Sequence, residues 1–276
     1  MGPVVCDEFE IVQATHPRGA FRFALFDFDG TLSLIRQGWQ DVMAPMMVEF
    51  LLETNSGEST EEIDACVREF IDQTTGKQTI YQMMQLCDEI AQRGGTPREP
   101  MAYKALYNDR LWTHIQHRVA GLQEGSIARD TMMVPGSEAM LQGLRARGVS
   151  LFLASGTDEV YVRNECAALG LTSYFDGGVY GAQDDLAKFS KKMIIERILR
   201  EHRIHGSALL GFGDGFVEIE NTKEVEGVAI GVATDEVGLC ACDPWKRQRL
   251  ISAGADLIIP HFRHASALLA YLFSEE

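Results

Sequence analysis

The stretch that most constrains the fold of this chain is residues 21–31, Phe-Arg-Phe-Ala-Leu-Phe-Asp-Phe-Asp-Gly-Thr. Its apolar, aromatic first part is typical of a buried strand, which ends at Asp27 and Asp29. Because side chains alternate along a strand, both carboxylates point to the same side. Two neighbouring carboxylates repel each other, and a hard divalent cation offsets that repulsion best. An ordinary strand followed by an Asx-type turn is the simpler alternative.

After Thr31 the sequence changes from strand-like to helical patterning. Residues 38–53 are rich in Met and Leu, and residues 99–122 carry regularly spaced aromatic and aliphatic residues. Ser59-Thr60-Glu61-Glu62 fits a capping box ahead of an apolar helical face. We therefore expect a helical domain at residues 34–131, inserted into a domain made of residues 1–33 and 132–276.

Outside this insert, predicted strands alternate with predicted helices. Apolar runs at residues 150–154, 207–213, 227–233 and 255–259 predict strands. Such alternation predicts a parallel α/β sheet with helices on both faces, which binds ligands at the carboxyl ends of its strands. The polar residues that follow predicted strands should therefore share one site: Asp27, Asp29, Ser155 and Asp214.

Three segments carry weaker signals. Phe9 to Val12 predicts a short strand that forms a hairpin with the strand before Asp27. The aromatic, glycine-rich segment from Tyr174 to Gly181 suggests a hairpin-like connection. Ser137 is the expected N-cap of a helix after Val134-Pro135-Gly136.

Composition excludes several classes of function. The net charge of −15 and the absence of a long Lys/Arg cluster argue against a nucleic-acid partner. No apolar stretch approaches the ~20 residues of a membrane span, and acidic residues near the start exclude the apolar core of a signal peptide. Six scattered cysteines without a C-x-x-C pair indicate reduced thiols. We expect a soluble, cytoplasmic protein without a membrane partner, and the oligomeric state stays open.

Four short motifs, taken in chain order, resemble those of the haloacid dehalogenase (HAD) superfamily of phosphohydrolases. They are D-x-D-G-T at residues 27–31, Ser155-Gly156 after a strand, a lysine at a helix start, and Gly213-Asp214 with Glu218 four residues after the aspartate. The resemblance covers residues 21–31 and about 134–273. It implies a Rossmann-like core, and it implies that the helical insert is a cap that closes over the site and excludes water.

The resemblance also implies catalytic roles. Asp27 would be the nucleophile, and Asp29 would be the general acid and base, a division that requires two carboxyl groups of different pKa. The Ser155 hydroxyl and the Gly156 N–H would bind the phosphoryl group, as would the turn at Gly30 and Thr31.

A bound Mg²⁺ is the implied cofactor. Its ligands would be the side chains of Asp27 and Asp214 together with the backbone carbonyl of Asp29. Glu218 stands where family members more often have Asp, so it is expected either as a direct ligand or as an outer support.

Lys188, Lys191 and Lys192 all compete for the lysine motif. We favour Lys191, because Ser-Lys followed by Met193 to Ile198 best resembles the pattern of phosphoserine-phosphatase-like proteins.

Two basic residues of the cap are candidates for contact with the substrate's leaving group. Lys77 lies in Thr75-Gly76-Lys77, between two predicted helices, and Arg36 lies at the base of the insert. The full G-x-x-x-x-G-K-[ST] pattern is absent, which excludes a nucleotide P-loop. An ordinary surface position is the alternative for both.

The sequence therefore predicts a Mg²⁺-dependent phosphatase for a small phosphorylated metabolite, of the sugar phosphate or phosphoglycolate class, acting through an aspartyl-phosphate. A phosphomutase would depend on a bisphosphate activator. A phosphonate hydrolase would need a cap lysine that forms a Schiff base. A non-catalytic binding protein would have little reason to keep the whole set of motif residues.

Overall fold

The computed structural model describes residues 8–13, 18–183, 189–203 and 205–274. Seven strands are found there: β1 (Glu10–Ile11), β2 (Phe23–Phe26), β3 (Ser150–Asp158), β4 (Gly178–Ala182), β5 (Leu209–Gly213), β6 (Val228–Val232) and β7 (Leu257–Ile259). They form one sheet in the order β1-β7-β6-β5-β2-β3-β4. Every pairing is parallel except that of β1 with β7.

Ten α-helices accompany this sheet in the described ranges. The first four in the chain belong to the helical insert: α1 (Gln40–Leu52), α2 (Thr60–Thr74), α3 (Thr79–Gln92) and α4 (Pro100–Glu124). The other six are α5 (Ser137–Ala146), α6 (Glu159–Ala168), α7 (Lys191–His202), α8 (Phe216–Glu224), α9 (Pro244–Ser252) and α10 (Ala265–Phe273). The prediction of a parallel α/β core with an inserted helical cap is confirmed. None of the helices in the described ranges is both long and apolar enough to cross a membrane.

The central strand β2 is buried on both faces. Ala24 and Phe26 belong to the apolar cluster that contains α5 and α10, whereas Phe23 and Leu25 pack in a second cluster with α7. Phe26 also stacks on Phe212 of the neighbouring strand β5, with ring centroids 4.4 Å apart. Burial of one such aromatic side chain stabilises the fold by roughly 1.5–3 kcal/mol. A strand anchored this firmly holds the residues that follow it in fixed positions.

The buried apolar residues of the helical insert belong to the same cluster as Ala24 and Phe26 of the core. The methionines of α1 are buried, so they belong to the core rather than to a ligand surface. The predicted capping box of α2 is present, with the Ser59 side chain accepting from Glu62 N–H and the Glu62 side chain accepting from Ser59 N–H. It satisfies two backbone donors that the first turn leaves unpaired.

Three local predictions were wrong. Strand β1 pairs with β7, because β2 is already flanked by β3 and β5 and has no free edge for a hairpin. Strand β4, within the segment expected to be a hairpin, is a parallel neighbour of β3. The N-cap of α5 is Gly136, with φ +84°, and the Ser137 hydroxyl instead donates to Val134 O at 2.6 Å.

Candidate active site

Three neighbouring strands bring the polar motif residues to one edge of the sheet. Strand β2 lies between β5 and β3, with Phe26 in register with both Phe212 and Leu153. Asp27 directly follows β2, and Asp214 directly follows β5. A cavity of about 90 Å³ opens at this edge, lined by Asp27, Asp29, Arg36, Trp39, Thr75, Gly76, Lys77, Thr79, Gln82, Tyr107, Ser155, Gly156, Thr157, Lys191 and Asp214.

The Asp27 carboxylate lies at the cavity wall, with only 6% of the residue exposed. Its Oδ1 is 3.0 Å from Lys191 Nζ and accepts a hydrogen bond from Phe28 N–H at 2.7 Å. Burial raises the pKa of Asp27, and the charge of Asp214 raises it further, whereas Lys191 opposes both. The lysine therefore favours the ionised, nucleophilic form of this carboxyl.

Asp29, two residues after Asp27 in the chain, faces the same cavity. Its Oδ2 accepts hydrogen bonds from Thr157 Oγ1 at 2.8 Å and from Ser155 Oγ at 3.4 Å. Its Oδ1 is buried without a hydrogen-bond partner in the described part of the chain. Burial raises the pKa of Asp29 to about 7, although Arg36 lowers it. A carboxyl with this pKa can take up and release a proton near neutral pH, as a general acid and base must.

The three candidate lysines have different surroundings. Lys191 is the first residue of α7, and its buried Nζ contacts both Asp27 and Glu218. Lys192 turns away by the ~100° between helical neighbours and pairs with Glu224 at the surface, 2.6 Å away. Lys188 lies outside the described residues. Of the two described lysines, Lys191 is the one that reaches the candidate nucleophile.

Glu218 lies in the first turn of α8 and is 2% exposed. Its Oε1 forms a very close ion pair with Lys191 Nζ, so its contact in this structure is with the lysine. Its Oε2 is buried without a hydrogen-bond partner among the described residues, so one oxygen of Glu218 is not used by the ion pair.

Asp214 is held from two sides. Its Oδ1 lies 3.4 Å from the hydroxyl of Thr31, and its Oδ2 lies 2.8 Å from Lys246 Nζ. Gly30, with φ +72°, makes room for it, because a Cβ there would lie 2.2 Å from Asp214 Oδ2. Gly30 and Thr31 thus position a carboxylate, and neither is among the residues that line the cavity.

Sequence reasoning missed Lys246 and Glu236. Lys246 Nζ bridges Asp214 and Glu236, at 2.8 and 2.6 Å. Burial lowers the pKa of Lys246, but the charges of Asp214 and Glu236 outweigh burial and raise it. Lys246 lies on α9, which the sequence analysis did not assign. The signal for that helix was present as Asp243-Pro244, an N-cap residue followed by proline.

Arg36 reaches the site but is already paired. Its guanidinium donates to both oxygens of Glu165 at 2.6–3.1 Å, and its Nε is 3.9 Å from Asp29 Oδ1. Glu165 was also missed, although it belongs to the buried face of α6 with Val162 and Cys166. A carboxylate on an otherwise apolar helical face is a sequence signal for a buried ion pair.

The loop between α2 and α3 meets the core beside the cavity. Gln78 Nε2 donates to Phe189 O at 2.9 Å, and a Cβ on Gly156 would lie 2.9 Å from Lys77 O. The Lys77 ammonium lies 5.9 Å from the centroid of the Phe216 ring, and within the described residues it has no carboxylate in salt-bridge range. Lys77 is therefore a cavity cation whose charge is not already neutralised by a neighbour.

The same family appears when the chain is compared with known sequences. Residues 21–223 match the sequence profile of haloacid dehalogenase-like hydrolases. The chain belongs to the haloacid dehalogenase-like hydrolase family. The prediction of an enzyme from this superfamily is confirmed. No match was found among curated protein sequences.

Solved structures show that this hydrolase has the fold of known family members. A β-phosphoglucomutase from Clostridium difficile is 14% identical with a TM-score of 0.61, and the alignment covers 92% of this chain and 98% of that one. A predicted phosphoglycolate phosphatase from Haemophilus somnus is 15% identical with a TM-score of 0.59, covering 90% and 98%. A predicted phosphatase from Clostridium acetobutylicum is 17% identical with a TM-score of 0.56, covering 91% and 99%.

The donor set of this hydrolase suits Mg²⁺. No group of three His, Cys, Asp or Glu side chains in the described ranges is arranged to hold a metal by itself. Mg²⁺, however, needs only one or two carboxylates and otherwise keeps water and substrate phosphate as ligands. Carboxylates outnumber cationic side chains around the cavity even when the cap residues are included, which leaves negative charge for a cation to offset: Asp27, Asp29, Glu165, Asp214, Glu218 and Glu236 against Arg36, Lys77, Lys191 and Lys246.

Proposed function

We propose that this hydrolase is a Mg²⁺-dependent phosphatase that acts on a small phosphorylated metabolite, of the sugar phosphate or phosphoglycolate class, through an aspartyl-phosphate on Asp27. The observation that carries the proposal is the pairing of Asp27 Oδ1 with Lys191 Nζ at 3.0 Å, in a cavity that also contains Asp29 and Ser155. A carboxylate nucleophile beside a fixed cation is what phosphoryl transfer to an aspartate requires.

In the first step the Asp27 carboxylate attacks phosphorus. Negative charge then increases on the phosphoryl oxygens, close to where Lys191 is held by Asp27 and Glu218. A preorganised ammonium stabilises that charge without any reorganisation during the reaction. The hydroxyl of Ser155 and the N–H of Gly156 would donate hydrogen bonds to the same group.

Asp29 would carry out both proton transfers of the reaction. With a pKa of about 7, its carboxyl can hold a proton and give it to the oxygen of the leaving alcohol. The resulting carboxylate can then take a proton from the water that attacks the acyl-phosphate. Thr157 and Ser155, both within hydrogen-bond range of Asp29 Oδ2, keep the carboxyl oriented for both transfers.

Asp27, Asp214 and the carbonyl of Asp29 are the groups that would hold Mg²⁺. When bound, the ion supplies positive charge that reduces the repulsion between the phosphate dianion and Asp27. Glu218 would act through Lys191, since Lys191 is its partner.

The cap would select the substrate. We assign it to residues 34–131, with the core at residues 1–33 and 132–276. The cavity, of about 90 Å³, fits a phosphoryl group with a small leaving group. Lys77 would meet the leaving group directly, whereas Arg36 is already neutralised by Glu165 and would contribute its position more than its charge. The cytoplasmic location and the exclusion of nucleic-acid and membrane partners stay predictions from composition.

A phosphomutase is the second candidate, because the same Asp27 chemistry would serve it and the β-phosphoglucomutase from Clostridium difficile has this fold. A mutase returns the phosphoryl group to a second hydroxyl instead of to water, so its activity depends on a bisphosphate. A phosphonate hydrolase would use Lys77 as the amine, and borohydride trapping in the presence of substrate would detect it.

The test is a screen of phosphorylated metabolites for phosphate release, with Mg²⁺ and with excess EDTA. We expect release from a small phosphate ester that needs Mg²⁺ and is absent in Asp27→Asn. Turnover that survives EDTA would refute the metal-dependent mechanism. Activity that requires a bisphosphate would instead identify a mutase.

A further inference from the structure

Lys246 places a positive charge directly on a candidate metal ligand. Its Nζ is 2.8 Å from Asp214 Oδ2, and the two side chains are each 14% exposed. An ammonium at this distance neutralises much of the attraction between Asp214 and a divalent cation, because water screens the pair only weakly. A metal site that includes Asp214 therefore needs something that offsets Lys246.

Glu236 is positioned to do so. Its Oε1 lies 2.6 Å from Lys246 Nζ, the same ammonium that pairs with Asp214. The three groups are packed over the turn after β2, since a Cβ on Gly30 would lie 2.2 Å from Asp214 Oδ2 and 3.1 Å from Glu236 Oε1. The Lys246 charge is thus shared between two carboxylates instead of being held by the candidate ligand alone.

The backbone around Glu236 is fixed independently of its side chain. Gln37, at the base of the cap, donates through Nε2 to Glu236 O at 2.6 Å. Asp235 Oδ1 accepts from Val237 N–H, and Asp235 O accepts from Leu239 N–H. A Glu236→Gln substitution therefore removes one charge while leaving the loop contacts in place.

We propose that Glu236 is a positioning residue of the metal site, which takes up the charge of Lys246 so that Asp214 can bind the divalent cation. The inference rests on the proposed function, because it assumes a Mg²⁺ site at Asp214. Without the Glu236 charge, Lys246 has Asp214 as its only carboxylate partner among the described residues and competes with the metal for it. Loss of an outer-shell partner of a metal ligand typically weakens metal binding by about 10–100-fold.

The experiment measures metal binding without substrate or turnover. Metal-free protein is titrated with Mg²⁺ by calorimetry, and with Mn²⁺ by the metal-induced rise in Tm. Glu236→Gln should bind both ions about 10–100-fold more weakly than the wild type. Lys246→Met/Glu236→Gln removes both charges and should recover most of the loss. Glu220→Gln, which removes an exposed carboxylate of α8, is the matched control and should bind like the wild type.

The outcomes separate this inference from the proposed function. Wild-type protein that binds neither ion would refute the metal-dependent function itself. If the wild type binds the ions and Glu236→Gln binds them with the same affinity, the proposed role of Glu236 is overturned. A double variant that binds as weakly as Glu236→Gln would overturn it as well. If Glu236→Gln does not fold, the double variant decides alone, because binding more than about tenfold weaker than the wild type would contradict competition by Lys246.

Discussion

Removal of the Glu165 charge should strongly destabilise the protein. Glu165 and Arg36 form a bidentate ion pair whose side chains are 1% and 9% exposed. Burial lowers the pKa of Arg36, but the charges of Glu165 and Asp29 and the hydrogen bonds to Glu165 together outweigh burial and raise it. Because an arginine side chain is not deprotonated in proteins, the guanidinium stays charged when its partner is lost. Removing one member of a buried pair costs about 3–5 kcal/mol, because the other charge is left without compensation. That is a large part of the ~5–15 kcal/mol by which a folded domain is stable.

Urea unfolding followed by circular dichroism measures this cost. Glu165→Gln should lower the free energy of unfolding by about 3–5 kcal/mol, and Tm by roughly 6–20 °C. Arg163→Gln is the matched control on the same helix, since it breaks the exposed pair with Glu159 at a cost of less than about 1 kcal/mol. Arg36→Met/Glu165→Leu replaces both charges with apolar groups and should cost much less than the single change.

A cost for Glu165→Gln no larger than that for Arg163→Gln would contradict an uncompensated Arg36 charge, and so would a double variant as unstable as the single one. A second readout is the pH dependence of kcat/KM. Burial and the charge of Glu165 both raise the pKa of Asp29, which lies at about 7. Loss of the Glu165 charge lowers the pKa of Asp29, so the pH at which this acid loses its proton falls. The alkaline limb of the profile should therefore shift to lower pH.

Three further predictions concern the catalytic groups. Asp27→Asn should abolish turnover while the circular dichroism spectrum keeps its native shape, and substantial residual activity would show that another residue is the nucleophile. Lys191→Ala should lose on the order of 10²-fold or more in kcat, whereas Lys192→Ala, which breaks a surface pair, should keep nearly full activity. The opposite ranking would contradict the assignment of the motif lysine. Gly156→Ala places a methyl group 2.9 Å from Lys77 O. The variant should therefore have a lower kcat/KM, and limited proteolysis should cut its cap more readily. Unchanged values in both assays would show that the loop between α2 and α3 can shift without cost.

The sequence by itself determined the central strand and the class of fold, and it predicted which polar residues meet at one edge of the sheet. Residues 23–26 are apolar enough to be buried on both faces, and the polar residues that follow them therefore lie at the end of the strand. Alternation of strands and helices then requires parallel pairing, which brings Asp27 and Asp214 to the same edge. These are consequences of periodicity and chain order, which can be read locally.

Only the tertiary structure decided which charges neutralise one another. Arg36 and Glu165 are 129 residues apart in the chain, and Lys246 and Asp214 are 32 apart, with no pattern linking either pair. The pairing of β1 with β7 was likewise decided by which sheet edge stayed open. A buried charge selects its partner by distance and by exclusion of water, and both depend on how all the elements pack together.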